Sequence, residues 1–288
     1  VSEFGLSIDE LNDLPLCVIE IGQPLRYLIR LPVAHLTNTV PKIGVEYSHK
    51  AIVLDTETTG FDDDDEIIAL SYLLVEFDED MTDIRVVSSD TFYNEPSKPI
   101  TEEITILTGI TNAMVKGMSI APAMIQMIFE DCDFVAAHHA AFDRKFIEKI
   151  KRVDIPWICT VNDLNMQERY GSATSSLASV MAQAFGYYMN HHDSLEDSYA
   201  CFVLVRDNLK TLLTKAFTPS HIVRIRNSPF EVKEILKSRK YRWNPDEKAW
   251  EKSGIRIDDL DEETEWVRSV CKCGIYIEEV LVNERYRS

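Results

Sequence analysis

Ala51-Ile52-Val53-Leu54 constrains this chain more than any other stretch. It is a continuous apolar run, too short for a helix, as a strand buried on both faces reads. It gives way to Asp55-Thr56-Glu57-Thr58-Thr59-Gly60, a polar segment expected to turn. A strand covered on both faces needs neighbours beside it and layers above and below, so the fold must be built around it. Residues 67–77 and 84–93 read as two more strands, and residues 134–137 and 157–160 as a fourth and fifth. Helical patterns cover residues 101–111, 119–131, 141–152, 177–185 and 195–213. Strands in a run, then strand–helix alternation, then helices indicate an α/β domain with a mixed sheet.

Three domains are expected. Residues 1–47 form an N-terminal extension of unknown role, with apolar stretches at 16–21 and 26–31 that suggest a strand pair or an arm. Residues 48–217 form the main domain. Residues 218–288 form a small α+β module, with a helix at 230–238, two strands around Asn244-Pro245-Asp246-Glu247, a helix at 262–270 and a strand at 275–282.

The net charge of −18 argues against a protein that coats nucleic acid by bulk electrostatics, but it suits a site that gathers carboxylates around divalent metal. No apolar run approaches the roughly 18 residues needed to span a bilayer. The opening Val1-Ser2-Glu3-Phe4 does not read as a secretory signal. Cys17, Cys132, Cys159, Cys201, Cys271 and Cys273 show no CxxC spacing, so reduced thiols of a cytoplasmic, intracellular protein are expected.

Asp55 and Glu57 are two apart where the strand runs out, so alternation places both carboxylates on one face. Two acids there suit a hard cation with oxygen ligands. Asp143 lies at the start of the helix that follows strand 134–137. Strand ends in such sheets converge on one edge, where sites form. His192 precedes Asp197 in an H-x4-D pattern, with Asp197 near a helix start and His192 in the loop before it. A histidine titrates near neutrality and can take a proton from water. The acidic run 62–66 reads as a solvated loop.

Taken in order, these elements resemble the DEDDh (DnaQ-like) 3′–5′ exonuclease family. The resemblance rests on Ile52 to Phe61, on Leu107-Thr108-Gly109-Ile110-Thr111, on Ala137-His138-His139-Ala140-Ala141-Phe142-Asp143, and on His192-Asp193-Ser194-Leu195-Glu196-Asp197. It covers about residues 48–215. It implies a ribonuclease H-like fold, a five-stranded mixed sheet flanked by helices, and a metal-dependent 3′–5′ exonuclease that releases nucleoside monophosphates. Asp55, Glu57, Asp143 and Asp197 would hold two Mg²⁺ or Mn²⁺ ions, with His192 as general base. Thr58, Gly60, Ile110 and His139 would contact substrate. Ile110 would stack or wedge beside the terminal base, and His139 stands where family members often carry Asn. The expected partner is nucleic acid with a free 3′ end, single-stranded DNA before RNA, with a polymerase or other protein as a further partner and no membrane. The alternatives are an RNA exonuclease of the same fold and a non-catalytic nucleic-acid-binding protein.

Within the C-terminal module, basic residues alternate with Tyr241, Trp243 and Trp250. That pattern fits either a nucleic-acid surface or a small core.

Overall fold

The computed structural model describes residues 16–19, 26–37, 41–190 and 192–287. The chain divides into two compact units, Val1–Leu213 with Tyr286–Ser288, and Thr214–Arg285. In the first unit, β1 (Leu16–Ile19) and β2 (Arg26–Arg30) pair antiparallel, as the sequence suggested; residues 20 and 21 lie outside the described ones. A short helix α1 (Val33–Thr37) leads toward the main sheet.

That sheet consists of β3 (Tyr47–Thr58), β4 (Ile67–Asp78), β5 (Ile84–Tyr93), β6 (Phe134–Ala137) and β7 (Trp157–Cys159), in the order β5-β4-β3-β6-β7. The first three strands run antiparallel in succession, while β6 and β7 add in parallel, which makes the sheet mixed. The strand expected to stop at Leu54 continues to Thr58, because β4 extends the ladder through Asp55↔Ser71, Glu57↔Ala69 and Thr58↔Ile67. The polar residues there are strand residues, not a turn.

Between β5 and β6 lie α2 (Glu102–Thr108), α3 (Asn112–Val115) and α4 (Pro122–Phe129). Thr101 caps α2 through its side chain, and Gly109 ends it at φ 74°, where a residue without Cβ is at ease. The helix expected over 119–131 is shorter, starting at Pro122 in the first turn, where a missing N–H costs nothing. After β6 comes α5 (Ala140–Ile150), and after β7 come α6 (Thr160–Asp163), α7 (Met166–Tyr170) and α8 (Leu177–Val180), the last continued by a π turn to Phe185. Tyr187–Tyr188 forms β8, which pairs parallel with β2.

The helix expected over 195–213 is two helices, α9 (Ser194–Asp207) and α10 (Leu209–Ala216). Asn208 divides them by turning its side-chain amide onto the Leu204 carbonyl at 2.7 Å. Helices cover both faces of the sheet. Ile52 and Leu54 point into a core shared with Ile125 and Phe129 of α4 and Phe146 and Ile147 of α5. By alternation Val53, Asp55 and Glu57 lie on the opposite face, against which α9 packs.

The second unit is a four-stranded antiparallel sheet of β9 (Ser220–Arg226), β10 (Arg242–Asn244), β11 (Ala249–Ile255) and β12 (Gly274–Val280), in the order β10-β11-β9-β12. Helices α11 (Lys233–Ser238) and α12 (Ile257–Val270) complete it. Val223, Ile225, Leu236, Tyr241, Ile255 and Val267 form its core. The sequence did not reveal β9, a central strand, and it placed the start of α12 five residues late.

The expectation of six reduced thiols is corrected. Cys271 and Cys273 form a disulfide with Cα atoms 5.6 Å apart, a separation ordinary for such bonds. They lie in the tight passage from α12 into β12, which brings both side chains together. Cys132, Cys159 and Cys201 are buried free thiols. Among the described residues no helix is long and apolar enough to cross a membrane.

Candidate active site

Three elements bring the acids to one place. β3 presents Asp55 and Glu57 toward α9. α9 presents Asp197 from its first turn, where a carboxylate sits favourably against the helix N-terminus. α5 contributes Asp143 from its first turn, directly after β6 and the pair His138-His139. Glu57, His192 and Asp197 each offer a ligand atom, and these atoms lie within 4.8 Å of one another.

Asp143 is almost wholly buried. One of its oxygens accepts hydrogen bonds from the Thr56 backbone N–H at 3.0 Å and the Thr56 hydroxyl at 2.8 Å. Thr56 points to the α5 side of β3 while its neighbours Asp55 and Glu57 point to the α9 side. The strand end is therefore held from both faces.

The position of Asp197 is set by contacts around it. Asp193 caps α9, accepting from the N–H groups of Leu195 and Glu196. Ser71, opposite Asp55 in the ladder, shares a 2.7 Å hydrogen bond with Ser194, and the Ser198 hydroxyl donates to the Ser71 carbonyl at 3.3 Å. Glu196 pairs with Arg30 of β2 and accepts from the Asn190 N–H at 2.7 Å. The N-terminal strand pair thus reaches the helix that carries Asp197.

The electrostatics are those of crowded, desolvated acids. Burial raises Asp55 well above the usual carboxylate range, and Asp143, Asp197 and Glu57 push it further. Burial and the Asp197 charge bring Glu57 to about 8. Burial brings Asp143 to about 7 against the opposing hydrogen bonds from Thr56. Asp197 also rises to about 7 through burial, opposed by a hydrogen bond from the His192 backbone. Asp193, which the sequence reading passed over as a site residue, adds its charge to Asp55, Glu57 and Asp197.

This donor set fits divalent cations. Asp197 Oδ1 is buried and has no hydrogen-bond partner in the described structure. A buried carboxylate oxygen left so is costly unless a cation meets it. All four acids are oxygen donors of the kind Mg²⁺ and Mn²⁺ accept.

His192 is exposed and holds φ at 61°, a left-handed conformation unusual for a residue with a Cβ. Its neighbour His191 lies outside the described residues. His138 is structural: its ring nitrogens meet the Thr160 hydroxyl at 2.7 Å and the Ser175 carbonyl at 2.6 Å. Burial lowers it to about 4.

The four residues expected to touch substrate fare differently. His139 is exposed at the start of α5, with its carbonyl taking the Phe142 N–H at 2.7 Å. The Thr58 hydroxyl is occupied with the Gly60 carbonyl at 2.6 Å. Gly60 leaves room for Asp65: a Cβ there would stand 2.8 Å from the Asp65 carboxyl carbon. Asp65 in turn accepts from the Thr59 hydroxyl at 2.7 Å and the Asp62 N–H at 2.8 Å. Ile110, directly after the αL turn at Gly109, is only 6% exposed and packs with Ile68, Ala69, Ile100 and Val115. The exposed large apolar side chains near Ile110 in sequence are Ile106 and Leu107 on α2 and Met114 on α3, and Phe61 is exposed beyond Gly60. The acidic run is tied down by lysines, Lys98 to Asp64 at 2.6 Å and Lys145 to Asp63 at 2.7 Å.

Comparison with known proteins agrees with this geometry. The sequence model of the RNase T exonuclease family matches residues 52–204. Over 160 residues the chain is 31% identical to the PolC-type DNA polymerase III of Caldanaerobacter subterraneus subsp. tengcongensis, covering 52% of this chain and 11% of that polymerase. Over 178 residues it is 28% identical to the PolC-type enzyme of Clostridium perfringens, covering 58% of this chain and 12% of that one. The chain thus spans about a ninth to an eighth of the length of these relatives. The zinc-bound complex of E. coli exonuclease I with single-stranded DNA superposes with a TM-score of 0.50 at 12% identity, over 82% of this chain and 64% of that one. That likeness concerns the fold alone. The chain belongs to the DnaQ-like 3′–5′ exonuclease family.

Proposed function

We propose that this chain hydrolyses the 3′-terminal phosphodiester of single-stranded DNA and releases nucleoside monophosphates one at a time. The observation that carries this reading is the convergence of Asp55, Glu57, Asp143 and Asp197 at one strand end with His192 beside them. Four desolvated carboxylates repel one another and would not be gathered near phosphates by a protein that only binds them. DNA is favoured over RNA because the exonuclease I relative is a single-stranded DNA complex and the sequence relatives are DNA polymerases.

Asp55, Glu57, Asp143 and Asp197 would hold two Mg²⁺ or Mn²⁺ ions. Bound there, the ions supply a lowered pKa for water and charge neutralisation at the leaving 3′ oxygen. His192, on an exposed loop before α9, takes the proton of the attacking water. Its left-handed backbone, together with its N–H bond to Asp197, aims the ring over the acids. The backbone at Thr58 lies beside Glu57, positioned to meet a terminal hydroxyl. Exposed Phe61, packed at 5.7 Å against Phe142, provides an apolar surface for a base.

The test is incubation of 5′-labelled single-stranded DNA and matching RNA with Mg²⁺ and with EDTA. A ladder shortening from the 3′ end, lost in EDTA and faster on DNA, is the expected result. No product from either strand in Mg²⁺ or Mn²⁺ would overturn the reading.

A further inference from the structure

The second unit carries a surface that its own stability does not require. Trp243 lies on β10, the edge strand of the four-stranded sheet, opposite Trp250 on β11. Trp250 packs against the unit's core, and Trp243 stands edge-on to it with ring centroids 5.7 Å apart. Trp243 is nevertheless 51% exposed. An indole anchored on one side and open on the other is costly in water unless something covers it.

The charges around it are distributed unevenly. Several cations of this unit are held in ion pairs: Arg224 by Glu251 and Glu278, Arg226 by Glu247, Lys252 by Glu263. Lys240, Arg242 and Lys248 are exposed and take part in no ion pair among the described residues. Glu251, the partner of Arg242 in the ladder, is already held by Arg224 and by the Asn244 amide at 3.0 Å. By the register Arg242 lies with Glu251 and Arg224 on the other face of the sheet from Trp243. Lys240 and Lys248, at the bends before and after β10, are the unpaired cations left at this edge among the described residues, against one carboxylate without an ion pair, Asp246.

The hairpin that presents them is well braced. Asn244 Oδ1 accepts from the N–H groups of Asp246 and Glu247 at 3.0 and 3.1 Å. Lys240 and Lys248 hold φ at 70° and 49°, which places them at the two bends that frame β10. Cations alone would serve to guard an open strand edge against pairing with another chain. A half-exposed tryptophan would do the opposite. The two together match a ligand that has both phosphates and unstacked rings.

We propose that the β10 edge, with Trp243 as stacking platform and Lys240 and Lys248 as phosphate contacts, binds single-stranded nucleic acid without needing a free end. The choice of ligand rests on the proposed function; the surface does not. In a chain of net charge −18, such a local contact offsets the general repulsion of a polyanion.

The probe that separates this surface from the active site is a labelled, covalently closed circle of single-stranded oligothymidylate, which has no 3′ end. It is titrated by fluorescence anisotropy with the full chain carrying Asp55→Ala. Trp243→Ala is expected to weaken binding about tenfold and Trp243→Phe to restore most of it. The exposed pair Lys240→Ala with Lys248→Ala is expected to lower the slope of log affinity against log salt by about 1.4, and it carries the test if Trp243→Ala does not fold. A parent protein that does not bind the circle, or folded variants that bind it as the parent does, would overturn the proposal. Circle binding by a wild-type chain inactive on linear strands would sink the exonuclease reading and leave this surface standing; activity without circle binding would do the reverse.

Discussion

Ser71 and Ser194 lie 123 positions apart and share a 2.7 Å hydrogen bond between their hydroxyls, joining the strand opposite Asp55 to the first residue of the helix that carries Asp197. Both serines are buried. Ser194→Ala removes one partner and leaves the Ser71 hydroxyl with Thr91 alone, at 2.8 Å. The expected cost is about 1–2 kcal/mol in urea unfolding. The expected loss in kcat is about tenfold, with substrate KM little changed, as the helix N-terminus shifts against β3.

Asp197→Asn removes a charge from the crowded site without changing its shape. Turnover in Mg²⁺ is expected to fall by about 10³ or more. In EDTA at pH 8 the variant is expected to melt higher than the wild type, because one source of repulsion on Asp55 and Glu57 is gone. A variant that melts lower in EDTA yet still responds to Mg²⁺ would count against the metal assignment.

The same acids predict how stability depends on pH. Asp143, Asp197 and Glu57 titrate near 7, 7 and 8 in the folded protein, above the usual values of 3.8 and 4.5. Between those limits the folded state binds more protons than the unfolded chain, so stability falls as pH rises from about 4 to 8. Differential scanning fluorimetry in EDTA should show a melting temperature lower at pH 8 than at pH 5.5 by about 5 °C or more. Saturating Mg²⁺ should remove most of that slope, since cations stabilise the ionised forms.

His192→Gly separates chemistry from backbone strain. Glycine accepts φ near 61° freely, while its added freedom in the unfolded chain offsets the gain. Stability should stay within about 1 kcal/mol of wild type, and the metal-induced shift in melting should persist. Activity should fall about 100-fold or more, with partial rescue by added imidazole, if the ring accepts the proton.

The legible parts of this fold were those with local signatures. β4 and β5 read correctly because their apolar residues recur at strand spacing, and α2 because Thr101 and Gly109 mark its ends. The acids and His192 stood out in the sequence because each sits at the end of a recognisable element. β9 was not legible: Ser220-His221-Ile222-Val223-Arg224-Ile225-Arg226 owes its polar face to ion pairs with glutamates far along the chain. The start of α12 was missed because Asp258 and Asp259 look like a loop, although acids favour a helix N-terminus. The burial of Ile110 was not legible, because an apolar residue after a glycine turn carries no sign of which way it faces. Ser71, Ser194 and Ser198 had no signal at all, since serine is common and their contacts span more than a hundred residues.

Burial of α9 on nearly all sides has a bearing on how this protein would fail. From Ser198 to Val205 every residue is buried, so the helix has no solvent-facing flank along which to loosen. Amides in that stretch should exchange with solvent only through global opening. Asp197, directly before that stretch, cannot leave its neighbours by local fraying. Heating would then yield either competent molecules or unfolded ones, and the inactivation profile would superimpose on the melting curve of the first unit.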